Sequence, residues 1–442
     1  MGTQNKRWSE ALEHGPGHHL KWVFWAVPTF FFFFEFFIRV APGVINQQLQ
    51  QEFNITPGDV GWMLAVYYYT YAPLQLVVGV LIDRFGPRGF LTGASLVCAI
   101  GLVIFGLAST LFMLSLGRAL MGGGSAFAYV GAVCVASMWF RRHRLGYIIG
   151  LTSMVGVAGA IVAQYTLPNL FLLYSWKTIM FALAFIAMVT GGFLWYFVPD
   201  RPHCLLEHDS ARQDSTHFLS GLKKVLSNPQ TWLLSFTNAL VFLPLALIGA
   251  TWGMRELTTV INRPRTDVGQ VIAMLYIGFC IGCPLLGYLS DRLGNRKMFI
   301  VGGAFLSTLL AFIYPLIGPE AYPLLFFYFL IWGLIISTFV INFTSCLELN
   351  ERHTGGTAVA FVNFVAMIVA ACFIWLFGVL VDWESAADHQ VGQALPKDFK
   401  LALYVMAFVM LPAPILSLFI RDSHGHRLES EQQSSLSEKR AT

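Results

Sequence analysis

The chain has 442 residues, 56% of them hydrophobic and only 12% charged, with a mean hydropathy of +0.64, whereas soluble globular proteins carry about a quarter charged residues. Such a composition excludes a soluble domain and describes a polytopic membrane protein. The net charge of +4 reflects an uneven spread over loops and is no nucleic-acid footprint.

Residues 1–21 are polar, with His14, His18 and His19 around a Gly-Pro and no cleavable signal, so they read as a cytoplasmic tail. Apolar stretches of about 20 residues span a bilayer as helices, and twelve follow, with cores at 22–48, 58–82, 89–109, 111–139, 145–167, 176–198, 230–254, 267–289, 297–317, 321–346, 356–382 and 400–420. The expected fold is all-α, with six helices over 22–198, a cytoplasmic linker over 199–229, six helices over 230–421 and a tail over 422–442. With the N-terminus inside, 20 of the 28 Lys and Arg fall on inner loops and tails, six on outer loops (Arg255 among them), and Arg39 and Arg118 within helices. That asymmetry places both termini inside.

Helix one carries Glu35 and Arg39. A spacing of four sets carboxylate and guanidinium on one face, where each lowers the desolvation cost of the other, and Glu35 reads as the only acid at this depth. Charges in the bilayer usually face a cavity or a partner helix, which makes Glu35 the candidate proton site and Arg39 the candidate substrate anchor. Thr56, Pro57 and Asp59 form an N-terminal signature for helix two. Along it Tyr67, Tyr71 and Gln75 recur every four residues as a polar aromatic stripe. Helix four opens GRALMGGGSAF, whose Arg118 needs a carboxylate, carbonyl or water; Tyr129 follows on the same helix. Glycines and a terminal Gln164 mark helix five. In the second half Asn238, Trp252, Asn342 and Asn363 supply polar or hydrogen-bonding side chains, each more often a packing device than a ligand contact. Seven cysteines lie in apolar runs or inner segments, which argues against a disulfide framework, and the CxxC at Cys280 and Cys283 reads as a small-residue packing face.

One motif organises the chain. GVLIDRFGPR at 79–88 recurs as GYLSDRLGNRK at 287–297, an offset of 208 positions, giving paired sets Gly79, Asp83, Arg84, Gly86, Arg88 and Gly287, Asp291, Arg292, Gly294, Arg296. Each set reads as a helix end in which the first Gly permits close helix contact, Asp and Arg leave the bilayer, and the second Gly ends the turn. Two copies in register resemble the loop signature of the major facilitator superfamily. Within it, FFEFFIRVAPGVINQQL and YYYTYAPLQLVVGVLIDRFGPR look like the phagosomal nutrient transporters of intracellular bacteria and, more distantly, the anion:cation symporters. In those symporters an Arg on helix one engages anionic substrates, and Arg39 matches it; Ile38 stands where an Asp is common. Drug-exporting antiporters usually show a Gly-Pro in helix five, where this chain has Val157.

The resemblance implies two six-helix bundles and alternating access across a bacterial inner membrane, with proton-coupled uptake of an amino acid, nucleoside or carboxylate. Siderophore transport and a non-transporting sensor are the alternatives. Asp83 and Asp291, with Arg118 and the rest of both loop sets, are then gating residues. No HExxH, P-loop or carboxylate pair points to an enzyme, a cofactor or a metal. Expected partners are a small solute, protons and lipid, for a monomer.

Overall fold

The computed structural model describes residues 20–140, 142–199, 215–351, 354–387 and 395–422. Residues 1–19, 200–214 and 423–442, which fall in the expected tails and linker, lie outside the described residues. Within them every regular element is a helix, and twelve helical stretches are long and apolar enough to cross a membrane, from Lys21–Val44 to Asp398–Leu418. Exposed side chains such as Phe112, Leu172, Leu173 and Leu316 cover the outer faces of these helices, a surface suited to lipid.

Two compact units divide the chain. One holds the stretches up to Pro42 and Val66–Glu207; the other holds Gly43–Ala65 and the chain from His208. Helices of the first unit are α1 (Leu20–Val44), α3 (Pro57–Phe85), which begins in the second unit, α4 (Pro87–Gly106), α5 (Leu111–Ser125), α6 (Ala128–Trp139), α7 (Arg142–Leu173) and α8 (Trp176–Phe197); α2 (Asn46–Phe53) belongs to the second. The α4 helix packs against α5 and α8. The second unit continues with α9 (Ser215–Ser227), α10 (Pro229–Pro244), a π-helical segment (Leu245–Trp252), α11 (Gly253–Ile261), α12 (Arg265–Leu293), α13 (Arg296–Ile313), α14 (Tyr322–Ile336), α15 (Phe339–Glu348), α16 (Gly355–Ala387), α17 (Asp398–Met410) and α18 (Pro412–Leu418). Here α12 packs on α14 and α10 on α16.

Local chemistry sets several helix ends. Thr56 and Asp59 cap α3 reciprocally: Thr56 Oγ1 accepts from the Asp59 N–H at 3.2 Å and Asp59 Oδ2 from the Thr56 N–H at 3.1 Å, which satisfies two donors that a helix start leaves open. Gly86 and Gly294, equivalent in the repeat, have φ of +85° and +59°, the left-handed region that favours glycine.

Three expectations need correction. The seventh span does not stop at 254 but runs through the π segment to Ile261, so Arg255, expected on an outer loop, is buried in it; the Arg-Glu pair that reads as a loop continues the helix because both side chains find buried partners or aromatic neighbours. Gly79 and Gly287 do not sit at close helix contacts, since a Cβ at either meets no atom within 4 Å; their faces stand clear of neighbours. Cys98, Cys280, Cys283, Cys346 and Cys372 are free, so the CxxC is unbridged, but Cys134 is disulfide-bonded.

Candidate functional site

The expected pair on α1 forms. Arg39 Nε donates to Glu35 Oε1 at 2.9 Å and Arg39 Nη2 donates to the same oxygen. Tyr67, one step along α3, donates its hydroxyl to that oxygen too, at 2.6 Å. Three donors therefore converge on Oε1, while Oε2 is buried without a hydrogen-bond partner. Around the Arg39 guanidinium stand the rings of Phe36, Tyr71, Tyr67 and Tyr68, at 4.6, 5.2, 5.6 and 5.9 Å, each able to offset part of the lost hydration of the cation. Tyr68 was not singled out from sequence; it lies off the four-residue stripe, yet a helix places residues 67, 68 and 71 on adjoining faces.

A second cation joins this cluster from α5. Arg118 is fully buried, lies 4.6 Å over the Tyr67 ring, and directs Nη1 and Nη2 at the carbonyls of Ile38 and Arg39, at 3.4 and 3.5 Å. Pro42 explains the first acceptor. A proline has no N–H to give the carbonyl four residues back, and four residues back is Ile38. Arg118 thus fills a gap in the α1 hydrogen-bond ladder, while its Nε is buried without a partner. Two guanidinium groups against one carboxylate leave the cluster cationic.

The helices that hold it cross closely. A Cβ on Gly122 would lie 2.1 Å from the Tyr67 carbonyl oxygen, so α5 approaches α3 backbone to backbone. Beside this crossing Thr70 Oγ1 donates to Ala119 O at 2.9 Å. Gln75, the third member of the stripe, donates Nε2 to Ala126 O at 2.8 Å, at the break between α5 and α6. Tyr129 packs 5.1 Å from Phe32, and Gln164 is buried on α7.

The repeated loops differ. In the second copy Arg296 makes a bidentate pair with Glu348 at the end of α15, Nε to Oε2 and Nη2 to Oε1, both at 2.7 Å, and contacts Asp291 at 2.8 Å; Arg292 is exposed. In the first copy Arg88 donates to Val198 O at 2.7 Å and lies 5.5 Å over Trp195. Phe140 occupies the place 208 positions before Glu348 and packs with Trp25, Ala136 and Ile148. The side chains of Asp83 and Arg84 lie outside the description.

The family model described as Major Facilitator Superfamily matches residues 29–374 and again 265–441. The chain belongs to the major facilitator superfamily. Among curated relatives of this facilitator, the "Membrane sensor protein UhpC" of Salmonella typhimurium is 24% identical over 417 residues, covering 89% of this chain and 90% of that one. The "Probable hexose phosphate transport protein" of Chlamydia trachomatis is 22% identical over 400 residues, covering 82% and 87%. Among solved structures, the inward-facing, unoccupied form of a bacterial homologue of the human lysosomal transporter Spinster superposes with a TM-score of 0.76 at 14% identity, covering 93% of this chain and 98% of that one. With its twelve spans, the facilitator is a multi-pass membrane protein.

In its second unit, Asn238 on α10 is fully buried with both amide atoms unpartnered, and Asn342 on α15 gives Nδ2 to Thr338 O at 3.4 Å with Oδ1 unpartnered. Trp252 Nε1 donates to Ile374 O at 3.0 Å, and Asn363 is half-buried on α16. A second buried acid lies near the end of the seventh span: Glu256 is 2% exposed and accepts from the Tyr314 hydroxyl. Sequence reasoning missed it because the preceding Arg255 suggested a loop.

Proposed function

We propose that this facilitator is a secondary transporter of a small organic anion, a carboxylate or phosphate, taken up with protons across a bacterial inner membrane by alternating access. A single observation carries the reading: a buried cationic cluster in which Arg39 shares one oxygen of Glu35 with Tyr67 while the other oxygen has no partner. An anion that engages Arg39 takes over its guanidinium, and Glu35, deprived of its cation in a low-dielectric site, gains by accepting a proton. Solute and proton then bind together. The hexose phosphate transport relative supports an anionic class. Both repeated loops, with Asp83 and Asp291, serve as gates, and the protein works as a monomer with both termini cytoplasmic.

In proteoliposomes with an imposed inward proton gradient, Glu35→Gln should keep solute exchange and accumulate less than wild type. Arg39→Lys keeps the charge but not the planar fork, and should weaken binding in both assays. Accumulation by Glu35→Gln equal to that of wild type would refute the coupling role. The sensor relative favours a second reading, in which the same cluster detects an external anion; ligand-dependent thermal stabilisation without any exchange would select it.

A further inference from the structure

The second unit holds a carboxyl that the transport reading does not use. Glu256 lies on α11, one residue beyond Arg255 and four beyond the π segment, in which Thr251 Oγ1 bonds back to Ala246 O and Leu247 O at 2.9 and 3.0 Å. Long π segments are rare and cluster at functional sites. Glu256 Oε2 accepts from Tyr314 at 2.5 Å, and Tyr314 is walled by Phe329, Trp332 and Tyr328 at ring distances of 5.6, 5.7 and 6.1 Å. Among the described residues no cation pairs with it. Arg255 lies 5.9 Å over Trp252 and interacts with Asp382 and Asp398 instead. Around α11, the N-terminal turn of α12 brings Arg265 and Asp267, of which Arg265 contacts Gln47, and the short 3₁₀ turn Pro319–Ala321 brings the exposed Glu320.

The other buried acids of this unit are provided for. Glu348 has Arg296, and Asp398 accepts from Ser385 and the Leu395 N–H and interacts with Arg255. A carboxylate with a phenol as its one described hydrogen-bond partner, buried among aromatic rings, is disfavoured as an ion, and a proton removes that charge without moving any side chain. Tyr314 occupies Oε2, which leaves Oε1 to carry the proton.

We propose that Glu256 is a proton-binding site, so that each transport cycle moves two protons, one through Glu35 and one through Glu256. The step is the uptake of H⁺ by the carboxylate from water on the outer side before the pocket closes, and its release to water on the inner side when the cycle wets the pocket there. The two-proton part rests on the transport reading; the binding part does not.

Two measurements on the full chain test it. Infrared difference spectra between acidic and alkaline buffer should show a carboxylic acid C=O band that Glu256→Gln deletes, and that Tyr314→Phe shifts upward because the hydrogen bond to it is gone. In proteoliposomes with the membrane potential clamped at zero, labelled gluconate and glucose 6-phosphate are the probes. Each coupled proton multiplies the final accumulation ratio about tenfold per unit of pH difference, so Glu256→Gln should accumulate about tenfold less than wild type at one unit. An unchanged spectrum in both variants, or equal accumulation by Glu256→Gln and wild type, overturns the proposal. Wild-type protein that concentrates neither probe counts against the transport reading, and the spectrum then decides Glu256 alone.

Discussion

Gly122→Ala probes whether the cationic cluster depends on the α3–α5 crossing. The added methyl would lie 2.1 Å from Tyr67 O, 2.5 Å from Thr70 Oγ1 and 2.9 Å from the Tyr67 carbonyl carbon. Ordinary contact starts at 3.4 Å, so the two backbones must separate by about 1.3 Å, the difference of 3.4 and 2.1. Overpacking of this kind costs about 1–3 kcal/mol, and stretching the 2.9 Å bond from Thr70 to Ala119 adds about 1 kcal/mol. Tyr67 moves with its backbone, away from Glu35 and Arg118. Gly123→Ala is the control: its nearest neighbour is Leu74 Cδ1 at 3.6 Å, an ordinary contact, and alanine is the better helix former by about 1 kcal/mol. Thermal unfolding in detergent, followed by tryptophan fluorescence, should therefore show a lower midpoint for Gly122→Ala and an equal or higher one for Gly123→Ala, with solute exchange reduced only in the former. Equal midpoints for the two variants would refute the account.

Arg118→Met keeps most of the side-chain volume but returns the Ile38 carbonyl to an unsatisfied state, and should cost about 1–3 kcal/mol in the same assay, with Arg118→Lys intermediate. Glu348→Gln breaks a bidentate charged pair and should destabilise by about 1.5–3 kcal/mol, whereas Lys224→Ala, which removes a pair whose side chains are 54% and 55% exposed, should change stability by less than about 1 kcal/mol. Denaturant titration of both variants in one detergent gives the comparison.

Hydropathy made all twelve spans legible because a bilayer demands long apolar runs, and the cap at Thr56 and Asp59 was legible because its chemistry is local. The Glu35–Arg39 pair followed from helical spacing alone. What escaped depends on distant chain segments. Gln75 reads as one more polar residue on a stripe until Ala126 O appears beside it. Arg118 is visibly in need of a partner, but only Pro42 on another helix determines that the partner is a carbonyl. Glu256 escaped because helix continuation through a π segment, and the arrival of Tyr314 from a later turn, leave no periodic trace near residue 256.

Arg88 and Arg296, equivalent in the repeat, have unlike surroundings among the described residues. Among the described side chains and carbonyls, Arg88 is held by a carbonyl and an indole, and neither of these can be neutralised by acid or displaced by ordinary salt. Arg296 is held by two carboxylates, one of them 65% exposed at Asp291, which counter-ions and protons can reach. Acid or salt should therefore loosen the hold on Arg296 while leaving these two contacts of Arg88 in place.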